Sequence, residues 1–219
     1  MNNKSFEHYR YELKFRLSRR MLEVLYNWMI SSNYGFKTSY PDRVINNIYY
    51  DSRDFKAYHD NEDGISNRTK LRVRWYGDFN NVQNPVLELK NKRNSLGYKN
   101  TYKVQKFNPE TLPKIKDIII DCDDKLNFHV YKYNMPCLIN NYKRSYFATR
   151  DNIRLTIDTN IGYKKPNVPA KFLRCEFHAI LEIKYNSLDQ NVAEKMLGNL
   201  PFALEKNSKY VNGVQKLWV

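Results

Sequence analysis

The 219-residue chain holds only 3 cysteines, 7 glycines and 8 prolines. Cys122, Cys137 and Cys175 are an odd number with no C-x-x-C pair, which argues against a disulfide framework or a thiolate zinc site and leaves buried free thiols. His8, His59, His129 and His178 are scattered and form no H-E-x-x-H pattern. Glycine and proline are too sparse for a collagen-like or low-complexity chain. Neither G-x-x-x-x-G-K-[ST] nor G-x-G-x-x-G occurs, so a nucleotide phosphate would be held by side chains rather than by a glycine nest. No apolar run approaches the roughly 20 residues that cross a bilayer. The opening Met1 to His8 has no hydrophobic stretch suited to a signal peptide, and the expectation is a cytoplasmic protein without a transmembrane segment. The RNP aromatic signature, helix-turn-helix patterns and zinc-finger spacing are missing as well, so no specific nucleic-acid partner is expected.

Charge and aromatic content are plentiful. Lys+Arg 37 against Asp+Glu 23 gives a net charge of +14, which asks for an anionic partner. A hydrophobic content of 42% with 18 Tyr and 11 Phe is too rich for a disordered polycation, so the chain can build a core. Its length suits a single domain over residues 1–219, and neither an internal repeat nor a linker-like stretch divides it. The aromatics are read as core, with Tyr142 as the exception.

The strongest pattern is alternation. From Tyr9 to Leu17 the odd positions are apolar and the even ones are Arg10, Glu12, Lys14 and Arg16, the signature of a strand with one charged face. Arg68 to Tyr76, Val86 to Lys92, Ile153 to Ile161 and Arg174 to Tyr185 repeat it. Val44 to Tyr50, Tyr98 to Lys106 and Pro136 to Phe147 read as three weaker strands, with turns at Gly77-Asp78 and Ser95-Leu96-Gly97. Helices are expected after the capping Ser18, over Asp54 to Asp60, from Pro109 to Asp117 and over Asp189 to Leu200. Hairpin-linked strands with segregated helices are an α+β pattern.

Helices cover apolar faces only, so the charged faces must share one side of the sheet. Eight antiparallel strands of this kind can close into a barrel with a charged interior and helices packed outside. The interior would gather Arg10, Lys14, Arg16, Lys70, Arg72, Arg74, Lys90, Lys92, Lys103, Arg144, Arg154 and Lys184, balanced by Glu12, Glu88, Asp158, Glu176 and Glu182. Cations crowded in a partly desolvated cavity repel, and a linear chain of phosphates running through would relieve them. Arginine offers forks for phosphate oxygens, and carboxylates among the cations suit Mg²⁺ or Mn²⁺.

At these residues the sequence resembles the VTC domain, the catalytic module of a polyphosphate polymerase in the CYTH, or triphosphate tunnel metalloenzyme, superfamily. The resemblance spans nearly the whole chain. It is carried by Arg10-Tyr11-Glu12-Leu13-Lys14-Phe15, Lys70-Leu71-Arg72-Val73-Arg74-Trp75-Tyr76-Gly77 and Leu87-Glu88-Leu89-Lys90. Tyr142-Lys143-Arg144, Arg154-Leu155-Thr156-Ile157-Asp158-Thr159, Leu181-Glu182-Ile183-Lys184 and Ser208-Lys209-Tyr210 follow in the same order. It implies a tunnel barrel that transfers the γ-phosphoryl of ATP to a growing polyphosphate chain with Mn²⁺ or Mg²⁺. Arg72, Arg74, Arg144, Arg154 and Lys209 would act on the phosphates undergoing transfer, Lys14, Lys90, Lys103, Tyr142, Lys206 and Ser208 would bind phosphate, and Glu182 would hold the metal.

The resemblance has two departures. The hydrolytic relatives carry E-x-E-x-K in the first strand, whereas Arg10 here stands at the first acidic position. The accompanying SPX domain and membrane helices are absent from this sequence, which leaves the identity of any membrane-bound partner protein open. A metal-dependent triphosphatase and a non-catalytic polyphosphate-binding module are the two alternatives. The excess of cations over acids favours the polymerase, because a terminal phosphate oxygen needs no general base and water does.

Overall fold

The computed structural model describes residues 10–93, 96–105, 107–119, 124–169, 171–175, 177–205 and 207–219. Lys206, Glu176, Cys122, His8 and the Ser95 turn position lie outside the described residues. The described strands form one nine-stranded antiparallel sheet: β1 (Arg10–Leu17), β2 (Lys37–Asp51), β3 (Asn67–Tyr76), β4 (Gln83–Arg93), β5 (Leu96–Lys103), β6 (Met135–Ala148), β7 (Arg154–Lys164), β8 (Leu173–Arg174) and β9 (Ala179–Asn186). Among the described residues five helices accompany it: α1 (Arg19–Ser31), α2 (Lys56–Glu62), α3 (Asp124–Lys132), α4 (Gln190–Gly198) and α5 (Lys209–Trp218). The fold is α+β, as the alternating strands and segregated helices require. The order of paired strands is β1-β9-β7-β6-β2-β3-β4-β5, with the short β8 on β7. It is an open path whose ends are β1 and β5.

By internal packing the chain groups into two compact units. The first contains the described residues up to Arg43, Lys143–Ile161 and Cys175–Asn207; the second contains Val44–Tyr142, Gly162–Arg174 and Ser208–Val219. In the first unit the apolar positions of β1, β7 and β9 (Phe15, Leu17, Leu155, Ile157, Leu181, Ile183) share one face. They pack on Leu22, Leu25 and Met29 of α1 and on Ala193 and Met196 of α4. Each such Leu or Ile contributes about 1.5–3 kcal/mol on burial, which fixes the strand parity and sends the charged positions to the other face. The Ser18 hydroxyl caps α1 by accepting from the Met21 N–H at 3.2 Å.

In the second unit Leu71, Val73, Trp75, Leu87 and Leu89 form the buried face of β3 and β4. Gly213 lets α5 lie close to Leu138 of β6 and Tyr163 of β7: a Cβ there would meet Leu138 Cδ2 at 2.5 Å.

Two local expectations need correction. The alternation from Arg174 to Tyr185 is two strands, β8 and β9, with Cys175, Phe177 and His178 outside both. The 109–117 segment holds only a 3₁₀ turn, Ile115–Asp117. Leu112 sits at φ +46° immediately before Pro113, which brings no N–H and disfavours helix at the preceding residue. Helix α3 carried no signal strong enough to be noticed. Cys137 is buried, and the free Cys175 is half-buried.

Candidate functional site

Each unit carries a charged strand face, and the register decides which charges meet. In the first unit Glu12 pairs across β1 and β9 with Lys184, Lys14 with Glu182, and Arg154 across β7 and β9 with Lys184. Directly opposed residues share a face, so opposite charges alternate along it. Lys14 Nζ lies 2.8 Å from Glu12 and 3.7 Å from Glu182, while Lys184 Nζ lies 3.8 Å and 3.2 Å from the same two carboxylates. Arg144, from β6, forms a two-pronged pair with the fully buried Asp158 at 2.5 and 2.7 Å and reaches Glu182 at 3.3 Å. Arg154 is exposed at the start of β7.

The second unit is built differently. Its register forms rows across β2 to β5: Asn47, Arg74, Val86 and Lys103; Tyr49, Arg72, Glu88 and Thr101; and Lys70, Lys90 and Lys99. Three lysines directly opposite one another across three strands cost stability unless something relieves them. Lys99 reaches Glu88 at 2.7 Å, and Lys70 donates to the Ser208 hydroxyl at 2.8 Å. Arg72 donates to Glu88 at 2.8 Å and to the Tyr49 hydroxyl at 2.9 Å. Arg74 donates to Asn47 Oδ1 at 2.8 Å and to the Tyr142 hydroxyl at 3.1 Å, and lies 3.6 Å from Glu88. Lys209, at the start of α5, sits 4.8 Å above the Tyr142 ring. Ser208 is the cap of that helix.

Glu88 is 3% exposed and is the only carboxylate on these three rows. Burial pushes its pKa up, but Arg72, Arg74 and Lys99 outweigh burial and hold it well below the ordinary carboxylate range. Burial pulls Arg72 the other way, and Tyr49 and Glu88 keep it firmly charged.

Of the sequence-predicted residues, the second unit brings Arg72, Arg74, Lys90, Lys103, Tyr142, Ser208 and Lys209 onto or against one cationic face, with Lys103 exposed at its edge. The first unit brings Lys14, Arg144 and Glu182 together, with Arg154 on the same strand face. Lys206 lies outside the described residues. Sequence reasoning passed over Asn47 and Tyr49, and it set Lys99 on one parity with Lys103 without naming it as a site residue. The first two belong to a period-two polar run with Asp51, in a strand whose other positions are Ile48 and Tyr50; that spacing was a usable signal.

Among the described residues there is no group of three or more His, Cys, Asp or Glu that could hold a metal ion by itself. Glu12 and Glu182, which share two ammonium neighbours, offer at most two carboxylates. That donor set suits Mg²⁺ or Mn²⁺, which bind through one or two carboxylates and take further oxygens from phosphate and water. The residues fit a cation that arrives with its phosphate. No helix among the described residues is long and apolar enough to cross a membrane.

The fold has known counterparts. A Hippeastrum protein described as an adenylyl cyclase candidate with a dominant triphosphatase activity superimposes with a TM-score of 0.58 at 12% identity, covering 96% of this chain and 97% of that one. An adenylate cyclase candidate from Vibrio parahaemolyticus gives 0.51 at 10% identity, covering 93% and 97%. At such identities the likeness concerns the fold alone. No curated protein matches the sequence. The VTC domain family, in contrast, matches residues 7–218, and the chain belongs to it.

Proposed function

We propose that this chain is a polyphosphate polymerase that transfers the γ-phosphoryl of ATP to the end of a growing inorganic polyphosphate chain with a divalent metal, Mn²⁺ or Mg²⁺. The observation that carries the reading is the second unit's cationic face, where Arg72, Arg74 and three aligned lysines share three strand rows with one buried carboxylate, Glu88. A terminal oxygen of the acceptor chain attacks the γ-phosphorus, the bond from the γ-phosphorus to the β,γ-bridging oxygen breaks, and ADP leaves. The acceptor oxygen is already ionised near neutral pH, so the protein's task is alignment and neutralisation of charge.

In this reading Arg72, Arg74, Arg144, Arg154 and Lys209 hold the phosphoryl group in transfer. Lys14, Lys90, Lys103, Tyr142, Lys206 and Ser208 hold flanking phosphates. Glu182, with Glu12 beside it, would hold the metal, which when bound supplies positive charge to phosphate oxygens. Residues 1–219 act as a single domain, and the closed eight-stranded barrel with a charged interior is part of the same proposal.

The triphosphatase alternative rests on Glu12, an exposed carboxylate able to reach water, and on the Hippeastrum counterpart's described activity. Incubation with ATP and Mn²⁺, followed by gel separation, decides between them. A ladder of chain lengths is expected. Orthophosphate alone, released in a manner lost in Glu12→Ala or Glu182→Ala, would replace polymerisation with hydrolysis. Binding of tripolyphosphate without any turnover would leave a binding module.

A further inference from the structure

Outside the cation rows, the second unit holds a buried polar cluster that phosphate transfer does not use. Asp51, at the end of β2, is completely buried. Its Oδ1 accepts from the N–H groups of Ser52 at 2.7 Å and Ala57 at 2.9 Å, and its Oδ2 accepts from the N–H of Tyr58 at 3.1 Å. It thereby caps the first turn of α2, whose preceding residue Phe55 offers no side-chain cap. The Tyr210 hydroxyl also donates to Oδ2. Burial pushes Asp51 above the usual carboxylate range, against the pull of Tyr210 and those N–H groups.

Tyr210 stands immediately after Lys209 and two residues after Ser208. Its ring packs on Tyr49 with centroids 5.1 Å apart, and Lys70 Nζ lies 5.8 Å from its centroid. Both neighbours belong to the cation rows: Tyr49 receives Arg72, and Lys70 bonds Ser208. The buried Cys137 Sγ lies 3.7 Å from the Tyr210 oxygen. A phenol wedged between a buried carboxylate and two members of the phosphate face has a single orientation available. The hydrogen bond fixes the phase of the helix turn that presents the two preceding residues.

We propose that Tyr210 is a positioning residue, whose bond to Asp51 locks the first turn of α5 so that Ser208 and Lys209 are held against Lys70 and Tyr142. This rests on the reading of those residues as phosphate ligands. The bond does not touch phosphate; it keeps the helix start pre-ordered, so that binding does not have to order it.

The test uses the full chain and Tyr210→Phe, which keeps the ring on Tyr49 and drops only the hydroxyl. Two measurements run in parallel. Hydrogen exchange on the ligand-free protein should show faster exchange at Val211 and Asn212, whose N–H groups point to the Ser208 side chain and carbonyl, with α1 exchange unchanged. Calorimetry with tripolyphosphate should show binding weakened about tenfold, the scale of one hydrogen bond's free energy. In a Ser208→Ala, Lys209→Ala background the same change should alter affinity less than about twofold, because the residues it positions are gone. Equal weakening in both backgrounds, or unchanged exchange at the α5 start, would overturn the proposal. Should Tyr210→Phe unfold, Asp51→Asn carries the same pair of measurements: its one amide oxygen cannot serve both the Ser52 and Ala57 N–H groups and the Tyr210 hydroxyl, so the Tyr210 bond is weakened and exchange at Val211 and Asn212 should rise in the same direction. If the wild-type chain itself does not bind tripolyphosphate, the polymerase reading falls, and hydrogen exchange alone decides the positioning claim.

Discussion

In the first unit Arg144 spends its guanidinium on Asp158 and Glu182, and Lys14 and Lys184 both sit between Glu12 and Glu182. In the second unit Arg72, Arg74 and Lys99 converge on one carboxylate, Glu88, and the remaining contacts of these cations are to neutral oxygens of Tyr49, Asn47 and Tyr142. Both faces arise from the same alternating strand pattern. The difference is in what the ladder opposes: Lys14 and Lys184 face Glu182 and Glu12 in the first unit, whereas in the second only Arg72 faces a carboxylate and Lys70, Lys90 and Lys99 face one another. A face already neutralised gains little from an anion, whereas a face with an excess of positive charge gains much. On this comparison the second unit suits the proposed phosphate cradle, and the first offers the two carboxylates of the proposed metal site.

The largest expected effect tests Glu88. Glu88→Gln removes the carboxylate that three cations share, and breaking a buried pair from one side costs about 3–5 kcal/mol. Glu12→Gln in the first unit removes a partly exposed partner and should cost about 1 kcal/mol or less. Denaturant unfolding reads both, and added tripolyphosphate should recover most of the Glu88→Gln loss, since anion binding to the folded state stabilises it. Equal losses, or no recovery with tripolyphosphate, would erase the distinction between the units.

A second prediction concerns ligand rather than stability. Arg74→Lys cannot maintain contacts to Asn47, Tyr142 and Glu88 with one ammonium, and tripolyphosphate affinity should fall about 10–100-fold. Glu182→Gln should leave metal-free tripolyphosphate binding in place and remove the increment added by Mn²⁺. Thermal shifts with and without Mn²⁺ measure this, and a metal increment that survives Glu182→Gln would remove the first unit from metal binding.

The smallest effect is a pH slope. Glu88 has a depressed pKa in the fold, so its stabilisation is present above its ordinary value of about 4.3 and is lost as pH falls through the lower folded value. Asp51 has a raised pKa, so its contribution is present below its ordinary value of about 3.9 and is lost as pH rises through the higher folded value. Melting profiles between pH 3 and 7 should therefore flatten at the acid end in Glu88→Gln and lose an opposing slope in Asp51→Asn. Profiles that tilt the other way would contradict both assignments.

Much of this was legible in the linear chain. Period-two alternation identified β1, β3, β4 and β7, and the same parity put Arg72, Arg74 and Lys90 on a polar face. Ser18 announced α1 through its cap. The 109–117 helix was overruled by Leu112 before Pro113, and the long alternation to Tyr185 is interrupted at Cys175, Phe177 and His178, which lie outside both strands. Asn47 and Tyr49 gave no charge signal, because a neutral side chain joins a cationic face only when register sets it beside an arginine.

Sequence alone determined which side chains share a strand face, because a strand's two-residue period is a property of the backbone. Only the tertiary structure decided which charges confront one another. Cross-strand register depends on core packing many residues away, and it paired Lys14 with Glu182 but lined up Lys70, Lys90 and Lys99.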